Sequence, residues 1–201
     1  MYVRVVKRAV DLLCSVLALI VLALPMAVIA CWIKMDSPGP VLFRQKRVGK
    51  DRSYFHILKF RTMYADAPAD VPTHQLNDAE KRITRSGRFL RRYSLDELPQ
   101  LFNILVGQMS IVGPRPALWN QDDLLAERDK YGANHLTPGL TGLAQIKGRD
   151  ELPIPVKAAY DGEYVKTVSL LTDLRIIFAT CFSVLRADGV VEGAQESEEE
   201  K

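Results

Sequence analysis

Leu12 to Ile33, LLCSVLALIVLALPMAVIACWI, is a run of 22 residues without a formal charge. At 1.5 Å per residue, a straight helix of that length reaches across a hydrocarbon core of roughly 30 Å. Such a stretch must be hidden from water, either in lipid or in a protein core, and that choice sets the architecture of everything that follows it. A cleaved signal peptide fits less well, because the run is long for an h-region and no obvious processing site follows.

Pro25 complicates the simplest picture. It has no amide hydrogen and its ring crowds the preceding turn, so Leu24 and Pro25 predict a kink near the middle of the run. Arg4, Lys7 and Arg8 precede the run, while Lys34, Arg44, Lys46 and Arg47 follow it. Positive charge prefers the cytoplasmic side, so a straight span places one cluster on the disfavoured face, whereas a bent, re-entrant helix keeps both on one face. On these cues alone a spanning helix and a re-entrant one are equally supported, with a buried soluble helix third. Asp11 lies at the boundary, where a carboxylate reaches headgroups or basic neighbours.

Outward from this segment, 201 residues leave room for one further domain. The net charge of +3 is modest but uneven: Lys34 to Leu101 holds 14 Lys or Arg against 8 Asp or Glu, whereas the stretch from Gly189 holds five Glu and one Lys. A basic middle fits an anionic partner, such as headgroups or a phosphorylated substrate. Nucleic acid is disfavoured, because the basic segment has no persuasive aromatic stacking surface and comes with an apolar anchor. Cys14, Cys31 and Cys181 each sit in apolar sequence and read as small buried or lipid-facing hydrophobes rather than a disulfide framework. With His56, His74 and His135 far apart, a zinc site has little support.

Val41, Phe43 and Gln45, then Phe55, Ile57 and Lys59, alternate as in a short hairpin with Gly49 near its turn. Ala65 to Leu76 reads as a loop or irregular connection. Glu80 to Tyr93 predicts a basic helix that Gly87 weakens. In Ser94 to Val106, Ser94 and Glu97 fit a capping box, followed by an apolar stripe of Leu98, Leu101, Phe102 and Leu105. GPRP at Gly113 to Pro116 is a rigid turn, and Leu118 to Lys130 predicts a helix. Thr137 to Asp150 is too glycine-rich for a long helix and reads as a shaped loop with a short strand. Val165 to Leu185 carries Asp173 and Arg175, which argue against a second span. It predicts an interfacial or core-packed helix with Leu170, Leu171, Leu174, Ile177, Phe178 and Cys181 close together.

Asp96 and Glu97 are the strongest chemical candidates. An aspartate can attack phosphorus and divide a transfer into two displacements through an acyl phosphate. The alternative is that Glu97 completes a helix cap and Asp96 only solvates the helix end. Arg91 offers planar, charge-assisted bonds to phosphate, or else a surface ion pair. Arg115 in GPRP and Arg149 in QIKGRD are further phosphate candidates, none specific alone. A divalent cation would neutralise a diphosphate and assist its leaving portion. There is no P-loop, Rossmann fingerprint or nucleophile elbow.

KFRTM at Lys59 to Met63, RRYSLDELPQLFN at Arg91 to Asn103, VGPRP at Val112 to Pro116 and PGLTGLAQIKGR at Pro138 to Arg149 occur in that order. Together they resemble the small monotopic phosphoglycosyl transferases of bacteria, the polyprenyl-phosphate sugar-phosphate transferase family, from about Arg4 to Arg186. The resemblance implies a mixed α/β, mainly helical fold. Residues 1–35 would form a re-entrant anchor, 36–188 a small cytoplasmic catalytic domain with interfacial amphipathic helices, and 189–201 an acidic, disordered tail. It implies transfer of a sugar phosphate from a UDP-sugar to polyprenyl phosphate at the cytoplasmic face of the bacterial inner membrane, among membrane phospholipids, with UMP as by-product. Asp96 would be the nucleophile and Glu97 its partner, both near Mg2+. Arg91, Arg115 and Arg149, with Lys59 and Arg61 of the first motif, would contact substrate. The resemblance also favours the re-entrant helix, although the family's usual Ser-Pro break is Leu24-Pro25 here. Asp150, where relatives often have Asn, detaches sugar preference from any near relative. Direct transfer without a protein adduct and a nonenzymatic membrane scaffold are the competing readings. Sugar identity, polyprenyl length and oligomeric state carry no signature.

Overall fold

The computed structural model describes residues 2–68, 79–148 and 152–186. Lys7–Asp36 is a single 30-residue helix, α1, that continues without interruption through Pro25. It is the one helix among the described residues that is long and apolar enough to cross a membrane. Its two sides differ in chemistry. Lys7, Asp11, Ser15, Ile29 and Ile33 are buried, and Ala18, Leu22 and Met26 are partly buried between them, in steps of three and four that form one stripe. Leu13, Leu17, Ile20, Val21, Leu24 and Val28 are exposed on the rest of the helix.

That stripe holds α1 to the domain along about 39 Å of its length. Near its start, Lys7 Nζ lies 2.7 Å from Asp173 Oδ2, and Arg8 donates to the carbonyls of Ile104 and Leu105. Asp11, expected to reach headgroups or basic neighbours, is buried and accepts the Ile111 amide at 3.0 Å. At the far end Asp36 accepts both the amide and the hydroxyl of Ser86 at 2.8 Å. Just beyond, the Arg61 guanidinium donates to the carbonyls of Ser37, Pro38 and Pro40 and fixes the exit from the helix.

The predicted hairpin is present: β1 (Leu42–Val48) pairs antiparallel with β2 (Tyr54–Phe60), with Gln45 opposite Ile57. Alternate residues share a face, so Phe55, Ile57 and Lys59 form a row. Phe55 and Ile57 pack with Leu101, Ile104 and Met109 against Ala18, Leu19 and Leu22 of α1. Lys59 continues the row and is thereby drawn to the edge of the core, with its side chain 17% exposed.

The basic stretch expected as one helix divides into α2 (Ala79–Arg82) and α3 (Arg85–Arg92). Ile83 leaves the helical path to pair with Met63, and the Thr84 hydroxyl then caps α3 by accepting the Gly87 amide at 3.0 Å. Gly87 is required for close packing, since a Cβ there would lie 2.0 Å from the Thr62 carbonyl oxygen. After α4 (Gln100–Leu105), β3 (Ser110–Val112) runs parallel to β4 (Gly139–Thr141), with α5 (Asp122–Asp129) between them in sequence. The glycine-rich stretch thus contains the expected strand, followed by a short helix, α6 (Leu143–Gly148), that its composition concealed.

The apolar run Val165 to Leu185 is helical from Leu170 onward, as expected, in α8 (Leu170–Arg186), while its first residues end a preceding helix, α7 (Ile154–Thr167). Ser169 interrupts the run, its hydroxyl accepting the Thr172 amide at 3.2 Å. On α8, Asp173 and Ile176 are buried, while Leu170, Leu171, Leu174, Phe178 and Phe182 are exposed. Most of Ala65 to Leu76 and the acidic stretch from 189 lie outside the described residues.

The VGPRP and PGLTG segments interlock. Gly113 donates to the Thr141 carbonyl at 2.8 Å, and Gly139 to the Pro114 carbonyl at 2.9 Å. A Cβ on Gly139 would lie 2.1 Å from the Gly113 nitrogen, so backbone would have to move. Gly139→Ala is expected to cost at least about 3 kcal/mol, beyond ordinary overpacking. A denaturant midpoint equal to that of the unaltered chain would show that this crossing is not the constraint described.

Candidate functional site

Asp96 and Glu97 occupy a single turn of 3-10 helix, Leu95–Glu97, placed between α3 and α4. The capping box expected there does not form. Ser94 has φ 55° and ψ 22°, in the left-handed region, and its side chain makes no cap bond. An N-cap aims its hydroxyl from extended backbone, which this conformation does not provide. The turn closes instead through the backbone, the Glu97 amide donating to the Ser94 carbonyl at 3.2 Å. α4 begins only after Pro99, so the two acids belong to the connection rather than to the first turn of α4.

The connection is well supported. Leu95 and Leu98 pack beside Leu90 and Phe60 against Ile29 and Ile33 of α1. From α4, the Asn103 side chain accepts the Leu58 amide and donates to the His56 carbonyl, which ties α4 to β2. Lys59 at the end of that strand is thereby set opposite the acids. Neither Thr62 nor Asn103 stood out in the sequence, because the contacts that matter here, Thr62 with Arg91 and Asn103 with Leu58 and His56, span at least 29 residues of chain.

Lys59 Nζ lies 2.8 Å from Glu97 Oε1 and 3.7 Å from Asp96 Oδ2. Arg115 Nη2 reaches the same Glu97 oxygen at 3.1 Å, which joins GPRP to the DE pair. Arg91 donates from Nε to the Thr62 hydroxyl at 2.9 Å, and its positive charge is felt at Asp96. Arg61 is 4% exposed and occupied with the three carbonyls described above. Arg149 lies outside the described residues. Gln100, absent from the candidates, is 1% exposed. Its Nε2 has no hydrogen-bond partner among the described residues.

The two carboxyls are electrostatically distinct. Burial pushes the Asp96 carboxyl above its ordinary range, with Lys59 opposing and the neighbouring Glu97 reinforcing the shift. Burial acts on Glu97 in the same sense, but Lys59 and Arg115 outweigh it and hold Glu97 well below the usual carboxylate range. Adjacent acids driven apart in this way suit different tasks. Glu97 is a fixed anion that organises two cations, and Asp96 is the more basic carboxylate. A buried carboxylate within reach of several cations is an arrangement suited to phosphoryl chemistry. Among the described residues no three His, Cys, Asp or Glu cluster to form a complete metal site, so Asp96 and Glu97 are the available carboxylate pair.

A family model described as "Bacterial sugar transferase" matches residues 2–187. The chain belongs to that family. The match takes in α1, the Asp96 turn and α8 together. The chain is 46% identical over 184 residues to "Undecaprenyl-phosphate glucose phosphotransferase" of Komagataeibacter xylinus, covering 87% of this chain and 35% of that one. It is 44% identical over 191 residues to "Exopolysaccharide production protein PSS" of Rhizobium leguminosarum bv. phaseoli, covering 90% and 96%. "UDP-glucose:undecaprenyl-phosphate glucose-1-phosphate transferase" of Caulobacter vibrioides is also 44% identical over 191 residues, covering 90% and 70%. This chain therefore spans about a third of the Komagataeibacter relative and nearly all of the Rhizobium one.

Ser94 provides a test of the site's backbone that separates it from a capping box. Glycine enters the left-handed region without a Cβ penalty, whereas a β-branched residue does so at a cost of roughly 1 kcal/mol or more. Ser94→Gly is expected to keep or raise the thermal midpoint, and Ser94→Val to lower it. A loss in Ser94→Gly as large as in Ser94→Val would contradict this account.

Proposed function

We propose that the chain transfers a sugar phosphate from a UDP-sugar to a polyprenyl phosphate through a covalent phosphosugar on Asp96. The observation that carries the reading is the buried Asp96 carboxyl beside a Glu97 clamped by Lys59 and Arg115. An Asp96 oxygen attacks the phosphorus that bears the sugar, and the bond from that phosphorus to the bridging oxygen of the diphosphate breaks, releasing UMP. An oxygen of the polyprenyl phosphate then attacks the same phosphorus. The carboxylate leaves, giving polyprenyl-diphosphate sugar and restoring Asp96. Lys59, Arg91 and Arg115 hold the phosphate oxygens, joined by Arg149 in the nucleotide-binding role that its motif implies. Glu97 keeps Lys59 and Arg115 in place before the donor arrives. Relatives that carry UDP-glucose in their names make it the first donor to test.

The donor set suits Mg2+. Two neighbouring carboxylates are a common protein contribution to a site whose other positions are taken by water and substrate phosphate. Asp96 and Glu97 would hold the ion, which when bound reduces charge repulsion at the diphosphate.

The reading places the protein at the cytoplasmic face of the bacterial inner membrane, with α1 entering and leaving lipid through that face. Support comes from the two ends of α1, both bonded to one domain through Lys7 and Asp36. A straight crossing would draw that charged domain into hydrocarbon. The exposed apolar residues of α8 would lie at the interface beside it. In a cysteine-free chain, Val5→Cys and Met35→Cys are both expected to resist an impermeant maleimide in intact spheroplasts and to react after lysis. Labelling of only one of them from outside would establish a spanning helix.

Intact mass after brief exposure to UDP-glucose and other UDP-sugars with Mg2+, and without acceptor, tests the chemistry. A sugar-phosphate increment is expected in the native chain. It should be absent in Asp96→Asn, suppressed by EDTA, and discharged by polyprenyl phosphate. Rapid UMP and lipid-product formation with no adduct from the same donor would favour direct transfer. Full activity in Asp96→Asn would exclude Asp96 as the nucleophile.

A further inference from the structure

A concavity is formed between the segment after Met63 and α2. Tyr64, Asp66, Lys81 and Arg82 line a solvent-open cavity of about 460 Å³. Its described lining is one aromatic ring, one carboxylate and two cations, unlike the exposed aliphatic faces of α1 and α8. Small-molecule sites commonly occupy 300–1,000 Å³, roughly, and combine an aromatic wall with a few convergent polar groups.

The cavity is tied to the site through a short antiparallel ladder. The Tyr64 amide donates to the Arg82 carbonyl at 2.9 Å, and the Thr84 amide to the Thr62 carbonyl at 3.0 Å, on either side of the Met63 to Ile83 bridge. Alternation in extended chain puts Thr62 and Tyr64 on the same face, about 7 Å apart along the segment. Thr62 holds Arg91, and Arg91 acts electrostatically on Asp96. Asp96, Arg91, Thr62 and Tyr64 thus form a connected path from the carboxylate pair to the cavity.

We propose that this cavity receives the nucleoside of the donor, with Tyr64 stacking on the base, Asp66 accepting from ribose hydroxyls, and Lys81 and Arg82 facing the adjoining phosphate. The inference rests on the donor being a nucleoside-diphosphate sugar, as argued above. Tyr64 is 46% exposed, so its ring is available as a platform. Aromatic faces stack on bases with little regard to base identity, and a carboxylate is a common partner of ribose hydroxyls.

The test measures binding of UDP and of inorganic diphosphate to the detergent-solubilised full chain, by calorimetry, without requiring turnover. Tyr64→Ala is expected to weaken UDP by about tenfold, within the range of base stacking, and to leave diphosphate unchanged. Tyr64→Phe should bind both as the native chain does. Asp66→Ala should weaken UDP but not diphosphate. The proposal is overturned if Tyr64→Ala binds UDP normally, if it loses both ligands equally, or if the native chain binds UDP no more tightly than diphosphate. Tyr64-dependent UDP binding without transfer from any UDP-sugar would retain the pocket and reject the transferase reading.

Discussion

A helix with a charged, polar and apolar stripe on one side and bare aliphatic side chains on the other can be satisfied only at a boundary, and α1 is such a helix. Its inward stripe meets the domain through Lys7, Arg8 and Asp11 at one end, Ala18, Leu19 and Leu22 in the middle, and Ile29, Ile33 and Asp36 at the other. The hairpin, α3 and α4 all pack on that stripe. The domain is therefore assembled on α1, and one side of α1 forms part of its core. Burying one partner of the Lys7 to Asp173 pair without the other would leave an uncompensated charge, so the stripe also fixes how α8 approaches α1.

The carboxylate pair inherits its geometry from this arrangement. β2 packs beside α1, which places Lys59 at the end of an apolar row, and α3 docks through Gly87 onto Thr62, which steadies Arg91. The VGPRP turn is locked by Gly139 and delivers Arg115 from a third direction. Three cations borne by separate parts of the scaffold surround two acids on one short turn. Little rearrangement is needed for them to meet an anionic ligand, and preorganisation of this kind is where electrostatic stabilisation gains most.

The hairpin was legible because period-2 alternation and a glycine act locally, and Phe55, Ile57 and Lys59 do share a face. Lys59, Asp96, Glu97 and Arg115 were legible as candidates through their motifs, and the structure brings them into contact. The capping box was a misreading for a local reason. Ser94 and Glu97 have the right spacing, but the left-handed backbone at Ser94 is set by the packing of Leu95 and Leu98, which spacing does not record. The division of the basic helix at Ile83 depends on Met63, twenty residues earlier, and the occupation of Arg61 by three carbonyls depends on a chain segment more than twenty residues away. Such long-range pairings have no local signature.

The contact between Lys7 and Asp173 joins residues 166 apart in the chain. Asp173 also accepts from Tyr2 and Tyr164, so four side chains from both extremes of the described fold share one knot. At synthesis rates of about 5–20 residues per second, α1 emerges roughly 8–33 s before its carboxylate partner exists. During that interval Lys7 has no Asp173 carboxylate to meet, so the knot closes only once the last of the described helices has been made.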